Sequence, residues 1–128
     1  MRYLFDSHLL LWAAGAPARL GEDVLKLLRD PGTVPLFSAA SLWEISIKAG
    51  LGRADFAVDP RLLRRRLGEH GWDELAITSA HAVATGGLPP LHKDPFDRML
   101  VAQAMVEGIL LLTSDRMVAA YPAPVRLV

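Results

Sequence analysis

The stretch HKDPFDRMLVAQAMVEG, residues 92–108, decides how the rest of the chain is read. Asp94 followed by Pro95 reads as an N-cap with proline at the first helical position, and Glu107 with Gly108 closes the run, so the spacing predicts a helix of about four turns. Stepping around that helix at about 100° per residue puts Asp97 on the face of Leu100, Val101, Ala104 and Gly108, with Arg98, Gln103 and Glu107 elsewhere. An acid in the first turn complements the helix dipole by roughly 0.3–1 kcal/mol, but that role does not require the apolar face. A carboxylate on that face has to be paired, protonated or bound to a cation.

The segments around this helix alternate between strands and helices. Arg2 to Phe5 is a short apolar strand ending at Asp6, and SHLLLWAAG after it has the length and content of a buried helix. A second helix is expected from Gly21 to Arg29, with Leu20, Val24, Leu27 and Leu28 on one face, before Asp30, Pro31 and Gly32 break it. Thr33 to Phe37 reads as the second strand. The helix after it starts either at Ser38, which makes Glu44 project from the helix body, or later, with Ser41 and Glu44 as a capping box. Pro60 opens a helix of about ten residues carrying Arg61, Arg64, Arg65 and Arg66. Trp72 to Thr78 is a third strand, Ser79 to Gly86 a short helix, and GGLPPLH a rigid, exposed-looking loop leading into the His92 stretch. Ile109 to Thr113 is apolar throughout, as in a strand covered on both faces; Asp115 follows it, and VRLV is a last short strand.

This order predicts one α/β domain over residues 1–128, with a parallel central sheet of about five short strands flanked by helices. A composition of 52% hydrophobic and 22% charged residues suits a globular protein, and no apolar run reaches the ~20 residues of a membrane span. The N-terminus lacks the pattern of a signal peptide, and the absence of cysteine removes disulfide and thiolate chemistry, so cytoplasmic residence is the expectation. Fourteen basic residues balance fourteen acidic ones, which leaves no global field to attract nucleic acid. Any such site must be local. The cationic candidates are Arg64 and Arg65 in the arginine cluster, with Lys48, Arg53, Lys93 and Arg98 near other features, although a run of arginines often forms only a solvated face.

In parallel sheets the working crevice lies beyond the carboxyl ends of the strands, where strand order reverses. Asp6 and Asp115 follow strands, and the helices bearing Glu44 and Asp97 start on the same side, so four acids can meet there. Carboxylates packed together repel unless cations neutralise them, and an all-oxygen set favours Mg²⁺ or Mn²⁺. That chemistry suits metal-dependent phosphoryl transfer.

The segments LFDSHLLLW, SAASLWEISIKAGLGR, LPPLHKDPFDRMLVAQA and LLTSD, in this order, resemble the PIN-domain ribonucleases, and more narrowly the toxin subunits of VapBC-type toxin–antitoxin pairs. The resemblance covers nearly the whole chain. It maps the family's four acidic positions onto Asp6, Glu44, Asp97 and Asp115, and its hydroxyl position onto Thr113. Asp94 fits the HxDPFDR signature of a sub-group, though its capping role is the stronger one. The resemblance implies an Mg²⁺- or Mn²⁺-dependent endoribonuclease that arrests growth, forms a homodimer and is neutralised by a cognate antitoxin. On this reading Trp12, Trp43, Leu51 and Phe56 are either core or part of an antitoxin groove. Other α/β phosphatases and receiver domains are alternatives, but the former want a second acid where His8 stands, and the latter paired acids where Asp6 is alone. A catalytically inactive PIN-like binding domain is the third alternative.

Overall fold

The computed structural model describes residues 1–52 and 57–128; Arg53 and Phe56 lie outside the described residues. The elements run β1 (Arg2–Phe5), α1 (Ser7–Gly15), α2 (Glu22–Arg29), β2 (Val34–Ser38), α3 (Ala39–Gly50), α4 (Pro60–Glu69), β3 (Asp73–Leu75), α5 (Ser79–Thr85), α6 (Pro95–Glu107), β4 (Leu110–Thr113), α7 (Arg116–Ala119) and β5 (Val125–Leu127). A short 3-10 turn, Pro17–Arg19, links α1 to α2.

The five strands form one parallel sheet in the order β3-β2-β1-β4-β5. The chain moves outward from β1 through β2 to β3, then returns to add β4 on the other side of β1. Strand order therefore reverses between β1 and β4, and the crevice of the fold opens at their carboxyl ends. Asp6 and Asp115 lie just beyond those two ends.

Side chains alternate across the sheet with the strand period of two. Leu4 and Leu111 point to the layer containing Leu100, Val101 and Ala104 of α6. Tyr3, Phe5 and Leu112 point to the opposite layer, with Leu9 of α1 and Val24 of α2. A third cluster, Leu10, Phe37, Ile45, Leu63 and Leu67, joins α1, α3 and α4. Both faces of the sheet are covered, which is why β4 is apolar at every position but its last.

The decisive helix has the expected ends. Asp94 accepts from the backbone N–H groups of Phe96 and Asp97, and Gly108 closes α6 at φ 64°, a left-handed conformation that glycine adopts without steric cost. Of the two possible starts for α3, Ser38 is the one used: its hydroxyl accepts from Ala40 N–H, so Glu44 lies in the helix body and forms no capping box.

Two expectations need correction, the length of the third strand and the exposure of the 86–92 loop. Gln103, off the Asp97 face, is nonetheless fully buried; Ser38 donates to its Oε1 at 2.6 Å, so a polar side chain serves as core. The third strand is only Asp73–Leu75, because it is an edge strand with β2 as its single neighbour. The 86–92 loop is less exposed than expected: Leu88 is buried, and the Leu88 and Pro89 carbonyls accept from Arg98.

Candidate metal centre

Asp6, Glu44, Asp97 and Asp115 line one cleft of about 620 Å³ at the β1/β4 switch point, together with Ser7, Lys48, His92 and Asp94. Each acid comes from a different element or element end. Asp6 N-caps α1: its Oδ1 accepts from Leu9 N–H at 2.9 Å, while Oδ2 accepts from the Thr113 hydroxyl at 2.6 Å and from Ser114 N–H at 3.3 Å. Burial raises the pKa of this carboxyl, opposed most strongly by the Thr113 hydrogen bond. Thr113 is itself fully buried at the end of β4, so it ties the two strand ends together across the crevice.

Glu44 is buried on α3. Ser7 donates to its Oε1 at 2.8 Å and stands 3.0 Å from Ser41 Oγ; Lys48, one turn on, pairs with Oε2 at 2.9 Å. Asp115 caps α7 by accepting from Met117 N–H through Oδ1, leaving Oδ2 toward the cleft side where His92 lies. Asp97 projects from the first turn of α6, and its pKa is raised to about 7. Burial is the main cause, followed by the negative charges of Asp94 and Glu44, with His92 acting in the opposite sense and Asp6 adding a smaller push upward.

The cationic candidates divide. Lys48 lines the cleft. Arg64 and Arg65 are exposed on α4 outside it, Arg65 lying 3.9 Å from Glu69. Lys93 borders a neighbouring recess with Trp43 and Phe96. Arg98 is turned into the protein: Nη1 donates to Pro89 O and Tyr121 Oη, and Nη2 to Thr85 O and Leu88 O. Its guanidinium is occupied by internal acceptors, which corrects its reading as an RNA contact. Of the apolar candidates, Trp12 is half-buried with Arg19 stacked 4.9 Å over its ring, whereas Trp43 stands 61% exposed, edge-on to Phe96, and Leu51 is 63% exposed.

Among the cleft residues that the sequence reading passed over, two meet the acids directly. His92 Nε2 lies 3.0 Å from Asp97 Oδ2 and 3.6 Å from Asp115 Oδ2. It precedes the cap of α6, so no periodicity assigns it a face. Ser7 follows Asp6 directly, and its partnership with Glu44 spans 37 positions, beyond any local pattern.

The donor set fits a divalent cation. Burial and the crowded acids push Asp97 toward protonation, and one ligand atom each from His92, Asp97 and Asp115 lies within 4.8 Å of the others.

A family model of the PIN domain matches residues 3–123. The chain belongs to the PIN domain family. It is 29% identical over 122 residues to Ribonuclease VapC22 of Mycobacterium tuberculosis (strain ATCC 25618 / H37Rv), a match covering 94% of this chain and 92% of that protein. Among solved structures it resembles VapBC2 from Rickettsia felis bound to a promoter DNA fragment, with a TM-score of 0.73 at 14% identity over 99% of this chain and 98% of the other. DNA-bound VapBC from Salmonella typhimurium aligns with a TM-score of 0.67 at 14% identity, over 100% and 97% of the respective chains. The parallel five-stranded sheet flanked by helices is thus the PIN fold.

Proposed function

We propose that this PIN domain is an endoribonuclease that hydrolyses RNA with Mg²⁺ or Mn²⁺ and serves as the toxin of a toxin–antitoxin pair. The observation that carries the reading is the meeting of Asp6, Glu44, Asp97 and Asp115 in one cleft, with Asp97 raised to about 7. Similarity to a ribonuclease and to VapBC structures supports it.

Asp6, Asp97 and Asp115 would hold the cation, with Glu44 at the cleft wall. When bound, the cation supplies a Lewis acid that polarises a phosphate oxygen and makes water a nucleophile at neutral pH. The chain's own residues provide preorganisation. Thr113 and Leu9 N–H fix the Asp6 carboxylate from opposite sides, so it need not reorient when substrate arrives. Ser7 and Lys48 hold one oxygen each of Glu44. Lys48 and Arg19 are cations on the rim of an otherwise acidic cleft, placed to meet a phosphate backbone. Asp94 acts mainly as the cap that starts α6 and thereby aims Asp97.

The reading includes an antitoxin, with exposed Trp43, Ile47 and Leu51 as apolar surface for it, together with a homodimer and action in the cytoplasm. The test is purified protein incubated with total RNA in Mg²⁺, Mn²⁺ or EDTA, with mapping of new 5′ ends. Cleavage is expected with either metal, and is lost in EDTA and in the Asp6→Asn and Asp115→Asn variants. Undiminished cleavage in EDTA would refute the proposal.

A further inference from the structure

We infer that His92 is a nitrogen ligand of the cation in this cleft, and that it biases the site toward Mn²⁺ over Mg²⁺. The inference rests on the metal-dependent reading above and adds to it a residue outside the four acids.

The position of Nε2 carries the argument. It is shielded from solvent and stands 3.0 Å from Asp97 Oδ2 and 3.6 Å from Asp115 Oδ2, ion-pair distances when the ring is protonated, but without hydrogen-bond geometry to either. A buried ring nitrogen that close to two carboxylates ordinarily donates to one of them. Neighbouring ligands about 2.1 Å from a six-coordinate ion are separated by about 3.0 Å, so these spacings are those of donors arranged around a cation.

The imidazole is also held in place before any ion arrives. Tyr121 Oη accepts from His92 N–H at 3.0 Å and donates to His92 O at 3.3 Å, fixing the backbone on both sides of the ring's attachment. Arg98 in turn donates to Tyr121 Oη and to three carbonyls of residues 85–89, so α6 and the loop carry His92 and Asp97 as one unit. Ligation through Nε2 puts the ring proton on Nδ1. The contact given up is the approach of Asp94 N–H to Nδ1, which at 3.4 Å is long for a hydrogen bond.

The consequence is selectivity. Mg²⁺ is a small hard ion that prefers oxygen and gives up its waters reluctantly, whereas Mn²⁺, though the weakest binder of the first-row divalent series, is softer and accepts an imidazole nitrogen at smaller cost. Replacing an oxygen-only set by one with an imidazole therefore favours Mn²⁺ more than Mg²⁺.

The experiment is Mn²⁺ binding to metal-free protein, followed by electron paramagnetic resonance with Mg²⁺ as competitor, for wild type and His92→Gln. Pulsed measurements on the Mn²⁺-loaded wild type read histidine nitrogen coupling directly and need no variant. Coupling is expected in the wild type and absent from His92→Gln, while the Mn²⁺-to-Mg²⁺ affinity ratio falls. Mn²⁺ bound to the wild type without nitrogen coupling, or a ratio unchanged in the variant, would overturn the role of His92 and leave the carboxylate site standing. Failure of the wild type to bind either ion would overturn both.

Discussion

Replacing Asp97 by Asn separates a metal ligand from a helix-dipole acid by the sign of a stability change. The carboxyl is raised from an ordinary 3.8 to about 7 by burial and by Asp94, Glu44 and Asp6, against the opposing effect of His92. Across pH ~4 to ~7 the folded chain binds more protons here than the unfolded chain, so the metal-free protein loses stability as pH rises through that window. A separation of roughly three pH units corresponds to roughly 4 kcal/mol. The side chain keeps 19% of its exposure, and solvent screening reduces the expected loss to about 2 kcal/mol. Asp97→Asn carries no such loss. In EDTA at pH 8 it should be more stable than wild type by about 2 kcal/mol, and near pH 4 the two should converge. Mn²⁺ at a hundred times its dissociation constant stabilises the wild type by about 2.7 kcal/mol and a poorly binding variant by little, so the order should reverse. A simple dipole acid would instead make Asn less stable by up to about 1 kcal/mol in either buffer. Urea melts of both proteins, at pH 4 and 8, with EDTA and with Mn²⁺ at fixed protein concentration, decide between them. A variant destabilised equally in both buffers at pH 8 refutes the reasoning.

Arg98→Ala should destabilise the fold by more than about 2 kcal/mol, since four internal acceptors lose their donor, without altering the salt dependence of RNA binding; denaturant melts and binding titrations measure the two effects. Arg64→Ala combined with Arg65→Ala should weaken RNA binding and flatten its salt dependence by up to about 1.4 in the log–log slope, while cleavage persists at high RNA concentration; a wild-type slope would show that these arginines are only a solvated face. Thr113→Val removes the 2.6 Å donor to the buried Asp6 carboxylate and should cost about 1–3 kcal/mol in metal-free protein at pH 8, read by urea melts. Because that hydrogen bond favours the ionised form, its loss should raise the pKa of Asp6 further, visible in a carboxyl titration by NMR.

Much of the architecture was legible because local chemistry and tertiary packing agree. The Asp94–Pro95 start and Gly108 stop of α6, the cap-and-helix sequence at Asp6–Ser7, and the apolar β4 each follow from backbone rules acting over a few residues. The acids following two strands, with parallel-sheet logic, were enough to expect Asp6, Glu44, Asp97 and Asp115 in one cleft. Their metal roles remain the proposal that the binding and cleavage experiments test. Tertiary structure alone decided the partners. The sheet order brings Thr113 to Asp6 across 107 positions, Ser7 to Glu44 across 37, and Tyr121 to His92 across 29. It also turned Arg98 inward and buried Gln103, two polar residues that a helical wheel places only off the Asp97 face. A periodicity records only which face of an element is apolar. Whether a polar side chain on another face meets water or a carbonyl depends on what packs there, and distant segments of the chain decide that.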